Sequence, residues 1–66
     1  MWTLRKDGRT VETRICITPG GPELRCYLDG ELLWSRIVCA PGRMGQIATE
    51  RRLDFQSMGW RAEGQV

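Results

Sequence analysis

Apolar and polar residues alternate along the first forty positions of this chain, and then the period changes. Trp2 to Arg5 (WTLR) alternates. Arg9 to Thr18 (RTVETRICIT) places Val11, Thr13, Ile15 and Ile17 on one side and Thr10, Glu12, Arg14, Cys16 and Thr18 on the other, as the two-residue repeat of a strand requires. Glu23 to Cys39 (ELRCYLDGELLWSRIVC) reads as two more strands joined at Asp29-Gly30. Asp-Gly is a strong hairpin signal, because a type I′ turn needs positive φ at both central residues. Asp7-Gly8 repeats it. From Met44 the period lengthens. Met44, Ile47, Ala48, Arg51, Phe55 and Met58 share one face at about 100° per residue, which predicts a helix over 44–58. Gly59 stands where a helix-ending glycine belongs, and Gly45 is expected at or before the helix start.

Turn chemistry then sets the expected pairing. Lys6 opposite Arg9 brings Leu4 to Val11 and Trp2 to Thr13. Pro19-Gly20-Gly21-Pro22 is expected as a four-residue loop, since proline lacks the donor a ladder needs. That loop would set Thr18 against Glu23, Ile17 against Leu24 and Ile15 against Cys26. The last hairpin would set Leu28 against Glu31, Cys26 against Leu33 and Leu24 against Ser35. One face then gathers Trp2, Leu4, Val11, Ile15, Ile17, Leu24, Cys26, Leu28, Leu33, Ile37 and Cys39 for the helix to cover. The predicted class is α+β: an antiparallel meander of three to four strands with one C-terminal helix packed across one face. Residues 1–60 form the single domain and 61–66 a loose tail. One helix is too narrow for four strands, so a ragged apolar edge is expected.

The other face is where a binding surface is expected. The registers give it the rows Arg14–Tyr27–Leu32, Cys16–Arg25–Trp34 and Thr18–Glu23–Arg36, with Arg5 and Val38 toward the edges. A solvated sheet face should be polar. This one mixes aromatic and aliphatic side chains with arginines, and Arg14, Arg25, Tyr27, Leu32, Trp34 and Arg36 are its candidate binding residues. Tryptophan, tyrosine, arginine and leucine with little acid is the composition of an interface core. The first reading is therefore a small non-enzymatic binding or assembly module with a protein partner. The favoured partner is a second copy, met face to face or along the fourth strand. Nucleic acid is the alternative, because aromatics between arginines suit base stacking and phosphate contact. In outline the arrangement also resembles the DNA-binding arms of some phage integrases, three strands and a helix; that resemblance implies DNA contact by the sheet. A third reading is local packing of arginine stems on the rings.

Composition narrows the choice. The chain has 66 residues, 41% hydrophobic and 27% charged, an ordinary globular balance for a core near the lower size limit. Net charge is +2, weak for a dedicated nucleic-acid binder. With no histidine there is no imidazole base or metal ligand; of the carboxylates, Asp7 and Asp29 are turn residues, and Glu12, Glu23 and Glu31 fall on separate strands. No enzyme, cofactor or metal is expected. Cys16, Cys26 and Cys39 are an odd number without close pairs and read as reduced thiols of a cytoplasmic protein, with no membrane span and no secretory signal. Cys16, opposite Arg25, is the one thiol with a reason to ionise. Gly42-Arg43-Met44-Gly45 has a Gly-x-x-Gly spacing, but it joins a strand to a helix and reads as a connection.

Overall fold

The computed structural model of the protein describes residues 1–40 and 42–62. Strands β1 (Thr3–Lys6), β2 (Arg9–Thr18), β3 (Gly21–Leu28) and β4 (Glu31–Ile37) are followed by helix α1 (Arg43–Ser57) and a short β5 (Arg61–Ala62). All pair antiparallel in one sheet of order β4-β3-β2-β1-β5. The fold is the expected α+β meander with one helix on one face, and it carries one strand more.

Both Asp-Gly turns form as their chemistry requires. Asp7 and Asp29 sit at φ 52° and 51°, followed by Gly8 and Gly30 at 77° and 83°. Lys6 pairs with Arg9, and Leu4 with Val11. The third turn is tighter than expected. Thr18 pairs with Gly21, so Pro19-Gly20 alone makes the turn and Pro22 lies inside β3, opposite Ile17. Thr18 holds it: its hydroxyl donates to the Gly21 carbonyl at 2.8 Å and accepts from Gly20 N–H at 3.2 Å. Pro22 is tolerated there because its carbonyl turns toward β4, accepting Val38 N–H at 2.9 Å, and β2 does not call on the missing donor. The β2–β3 register therefore differs by two residues from the expected one. A two-residue slip leaves every side chain on its original face.

The β3–β4 register departs with a larger effect. It runs as expected through Leu28–Glu31 and Tyr27–Leu32, then shifts so that Cys26 pairs with Trp34, Arg25 with Ser35, Leu24 with Arg36 and Glu23 with Ile37. Leu33 is the extra residue of a β-bulge. One inserted residue reverses the faces of all that follow it. Trp34, Arg36 and Val38 therefore turn to the helix side, and Ser35 and Ile37 turn to the open side.

The core lies between sheet and helix. Leu24, Val38, Ile47 and Ala48 form one buried cluster, flanked by Trp2, Trp34 and Met44. Leu4, Val11 and Cys26 form the other, flanked by Trp2, Leu28, Trp34, Phe55, Trp60 and Ala62. Trp2 and Trp34 touch both. The helix thus crosses the sheet diagonally, its first turns over β3–β4 and its last over β1–β5. Lys6 Nζ donates to the Met58 carbonyl at 2.6 Å at the far corner. The diagonal leaves the ragged edge: Ile17 is 83% exposed and Ile15 46%, because β2 runs past both the helix and the start of β1. Met58, expected in the core, is exposed.

Helix α1 ends as its glycine predicts. Gly59, at φ 96°, donates to the Gln56 carbonyl, and Trp60 N–H returns to that of Phe55 at 3.1 Å. The Trp60 and Phe55 rings meet edge to face, centroids 5.7 Å apart. This closure aims the chain back at β1, where Ala62 pairs with Leu4 and Arg61 with Arg5. The loose tail expected from residue 61 is corrected for Arg61–Ala62; residues 63–66 lie outside the described residues. No described helix is long and apolar enough to cross a membrane.

Candidate binding surfaces of the sheet

The open face is built by residues whose neighbours across the sheet share it. Its observed rows are Arg61–Arg5–Thr10, Thr3–Glu12–Tyr27–Leu32, Arg14–Arg25–Ser35, Cys16–Glu23–Ile37 and Thr18–Gly21. Of the six residues singled out in the sequence, Arg14, Arg25, Tyr27 and Leu32 come together here. Trp34 and Arg36 do not: the bulge carries them to the helix side. Trp34 instead flanks both core clusters, with the Arg51 guanidinium 4.8 Å from its ring centre. Val38, also expected on the open face, is buried against the helix.

The two candidate arginines that remain here are paired. Arg14 Nη2 donates to Glu12 Oε1 at 2.7 Å, and its guanidinium lies 5.1 Å from the centre of the Tyr27 ring. Arg25 Nε donates to Glu23 Oε1. The Glu23 carboxylate first, and then the Tyr27 hydroxyl, raise the pKa of the Arg25 guanidinium above its ordinary value and hold it charged. Each cation is thus neutralised by an anion of its own strand, one pair on β2 and one on β3. The signal for this was in the sequence, as Glu12-x-Arg14 and Glu23-x-Arg25, since residues two apart on a strand share a face.

The β4 rim is the other surface. β4 is an outermost strand, and Leu32 (56% exposed), Leu33 (51%) and Ile37 (42%) crowd along it. Ile37 packs over the Gly20-Gly21 backbone on the open side, where a Cβ on Gly21 would meet its Cγ2 at 3.7 Å. Sequence reasoning placed Ile37 and Leu33 in the core; the bulge brings Ile37 to the open face and leaves Leu33 at the rim.

The three thiols are free. Cys26 is buried, and burial pushes its pKa up against a smaller opposing effect of Arg51. Cys16 sits half-buried on the open face, opposite Glu23 and not, as expected from the sequence, opposite Arg25. Cys39 is exposed, its Sγ 3.8 Å from the Gly20 carbonyl oxygen. Among the described residues no pocket forms, and no cluster of three or more His, Cys, Asp or Glu side chains stands ready for a metal ion.

No family model, curated protein or solved structure matches the chain.

Proposed function

We propose that this protein is a small non-enzymatic binding and assembly module that associates with a second copy of itself, using β4 and the adjoining strip of the open face. The observation that carries this is the exposure of Leu32, Leu33 and Ile37 along an outermost strand. A sheet edge offers unpaired backbone donors and acceptors, and apolar side chains beside them favour burial by another chain. A domain of 66 residues has a core near the limit for independent stability and gains from such burial. The contact surface is thus the rim, with Leu32 at its centre and Tyr27, Arg14 and Arg25 behind it.

The nucleic-acid reading is weakened by the same geometry. Arg14 and Arg25 are engaged by Glu12 and Glu23, and Trp34 is no longer on the open side to stack with bases.

Sedimentation from micromolar to millimolar concentration, with and without mixed oligonucleotides at low salt, tests the proposal. A dimer forming with rising concentration and indifferent to oligonucleotide is expected. A bulge can also serve to keep an edge from pairing. A protein monomeric at millimolar concentration would assign it that role and sink the proposal.

A further inference from the structure

We infer that two copies join β4 to β4 antiparallel across a two-fold axis between Leu33 and Trp34, so that Glu31 of each faces Arg36 of the other. This rests on the assembly reading above and names its geometry.

The argument begins with the backbone. Val38 N–H turns toward β3 to meet the Pro22 carbonyl, and alternate residues of a strand turn the same way. Trp34 and Arg36 therefore face β3, while Ser35 and Ile37 present their N–H and C=O outward. Glu31 closes a two-residue turn with Leu28 and faces β3, which leaves Leu32 facing outward. Leu32 and Ser35 are thus the outward pair flanking the bulge. In an isologous antiparallel contact, Leu32 of one copy opposite Ser35 of the other can exchange both backbone hydrogen bonds, and the symmetry repeats the exchange.

The side chains agree with that register. Residues directly opposite in an antiparallel pair must share a face. Leu32 and Ser35 are both on the open side, opposite Tyr27 and Arg25. Glu31 and Arg36 are five positions apart and would lie on opposite faces of a regular strand. The bulge puts both on the helix side, opposite Leu28 and Leu24. They then meet across the contact at the non-hydrogen-bonded position, where side chains come closest. Both are exposed, and neither has an ion-pair partner among the described residues. Two such pairs, related by symmetry, are a charge complementarity that a second copy in this register satisfies. Exposed Leu33 then comes to lie beside Trp34 of the other copy.

The test is charge reversal, read as the dimer dissociation constant by sedimentation in low salt. Glu31→Arg turns both pairs into like charges, and so does Arg36→Glu. Each alone should weaken the dimer about tenfold, since opposed like charges destabilise directly facing pairs. An equimolar mixture of the two variants should recover wild-type affinity as a mixed dimer, because each facing pair is again one positive and one negative side chain. The double variant E31R/R36E should recover it alone. Circular dichroism checks that these exposed substitutions leave the fold intact. A dimer indifferent to either reversal, or one weakened by both but not restored by mixing, overturns the register and leaves the assembly reading standing. A wild-type chain that never dimerises overturns both.

Discussion

The indole N–H of Trp2 donates to the carbonyl oxygen of Ala48 at 2.8 Å, tying the segment that leads into β1 to the middle of α1 across 46 positions of sequence. The same ring lies 6.0 Å from Phe55, edge to face, and touches both core clusters. The bond fixes where along its axis the helix sits on the sheet.

Trp2→Phe keeps an aromatic ring and removes that donor. A net loss of about 1 kcal/mol is expected for one partly buried hydrogen bond. It should appear as a lower urea midpoint with unchanged slope. An unchanged midpoint would mean that the helix ladder alone satisfies the Ala48 carbonyl.

Trp34 is placed by the bulge where its loss is felt by the core. Trp34→Ala removes the ring that bridges both clusters and the surface on which Arg51 stacks. Full burial would cost roughly 3–5 kcal/mol, and this half-buried ring should cost somewhat less. Cooperative unfolding at a markedly lower midpoint is expected. A Trp34→Ala protein as stable as wild type would return the ring to the open side.

How far the fold was legible follows from these two tryptophans. Trp2 was placed correctly because its strand ends in Asp7-Gly8, and an Asp-Gly turn fixes the register of what it joins. Trp34 was misplaced because a bulge has no local signal of its own: Leu32-Leu33-Trp34 reads as a regular strand in either register. The two-residue error at Pro19-Gly20 did no such damage, since it preserved the faces. Of the candidate site, Arg14, Arg25, Tyr27 and Leu32 were legible on one face, and the pairing of the arginines with Glu12 and Glu23 could have been read from spacing. The rim of Leu33 and Ile37 could not, because it exists only once the bulge is known. β5 escaped because Arg61–Ala62 forms a strand only through the geometry of the Gly59 turn.

Thr13 is 2% exposed, and its hydroxyl oxygen has no hydrogen-bond partner. A buried unsatisfied polar group costs about 1–3 kcal/mol. Thr13→Val replaces the hydroxyl with a methyl group of similar shape and suits a strand. A rise in stability of about 1 kcal/mol is expected, measured as the urea midpoint. A fall would show that the hydroxyl is bonded to water.

Gly21 and Gly30 both have positive φ, at 118° and 83°, but they differ in space. A Cβ on Gly30 would meet nothing within 4 Å, whereas one on Gly21 would lie 3.0 Å from Cys39 Sγ. Gly30→Ala should cost about 1–2 kcal/mol for the backbone alone. Gly21→Ala should cost more, and the excess should shrink when Cys39 is also replaced by Ala, as a double-mutant cycle reads. Equal costs in both backgrounds would show that the Cys39 side chain swings clear.

Asp29 links the two Asp-Gly ends of the sheet. Its carboxylate accepts the Thr10 backbone N–H and Arg9 Nε, each at 2.9 Å, while its own N–H donates to the Thr10 carbonyl at 2.8 Å. The Thr10 N–H first, and then the Arg9 side chain, lower the Asp29 pKa below its ordinary value. A folded-state pKa below the unfolded one means that the carboxylate stabilises the fold above the unfolded value, about 3.9, and loses this as pH falls through the folded one. Asn tolerates the same positive φ and carries no charge, so wild type minus Asp29→Asn isolates the effect. The difference in urea midpoint should be constant from about pH 7 to pH 5 and shrink below about pH 4. Because the backbone donor outranks the guanidinium, Arg9→Gln should leave the Asp29 carboxyl, followed by NMR, titrating still below the ordinary value. A midpoint restored to that value by Arg9→Gln would make the ion pair, and not the Thr10 amide, the main support of the turn.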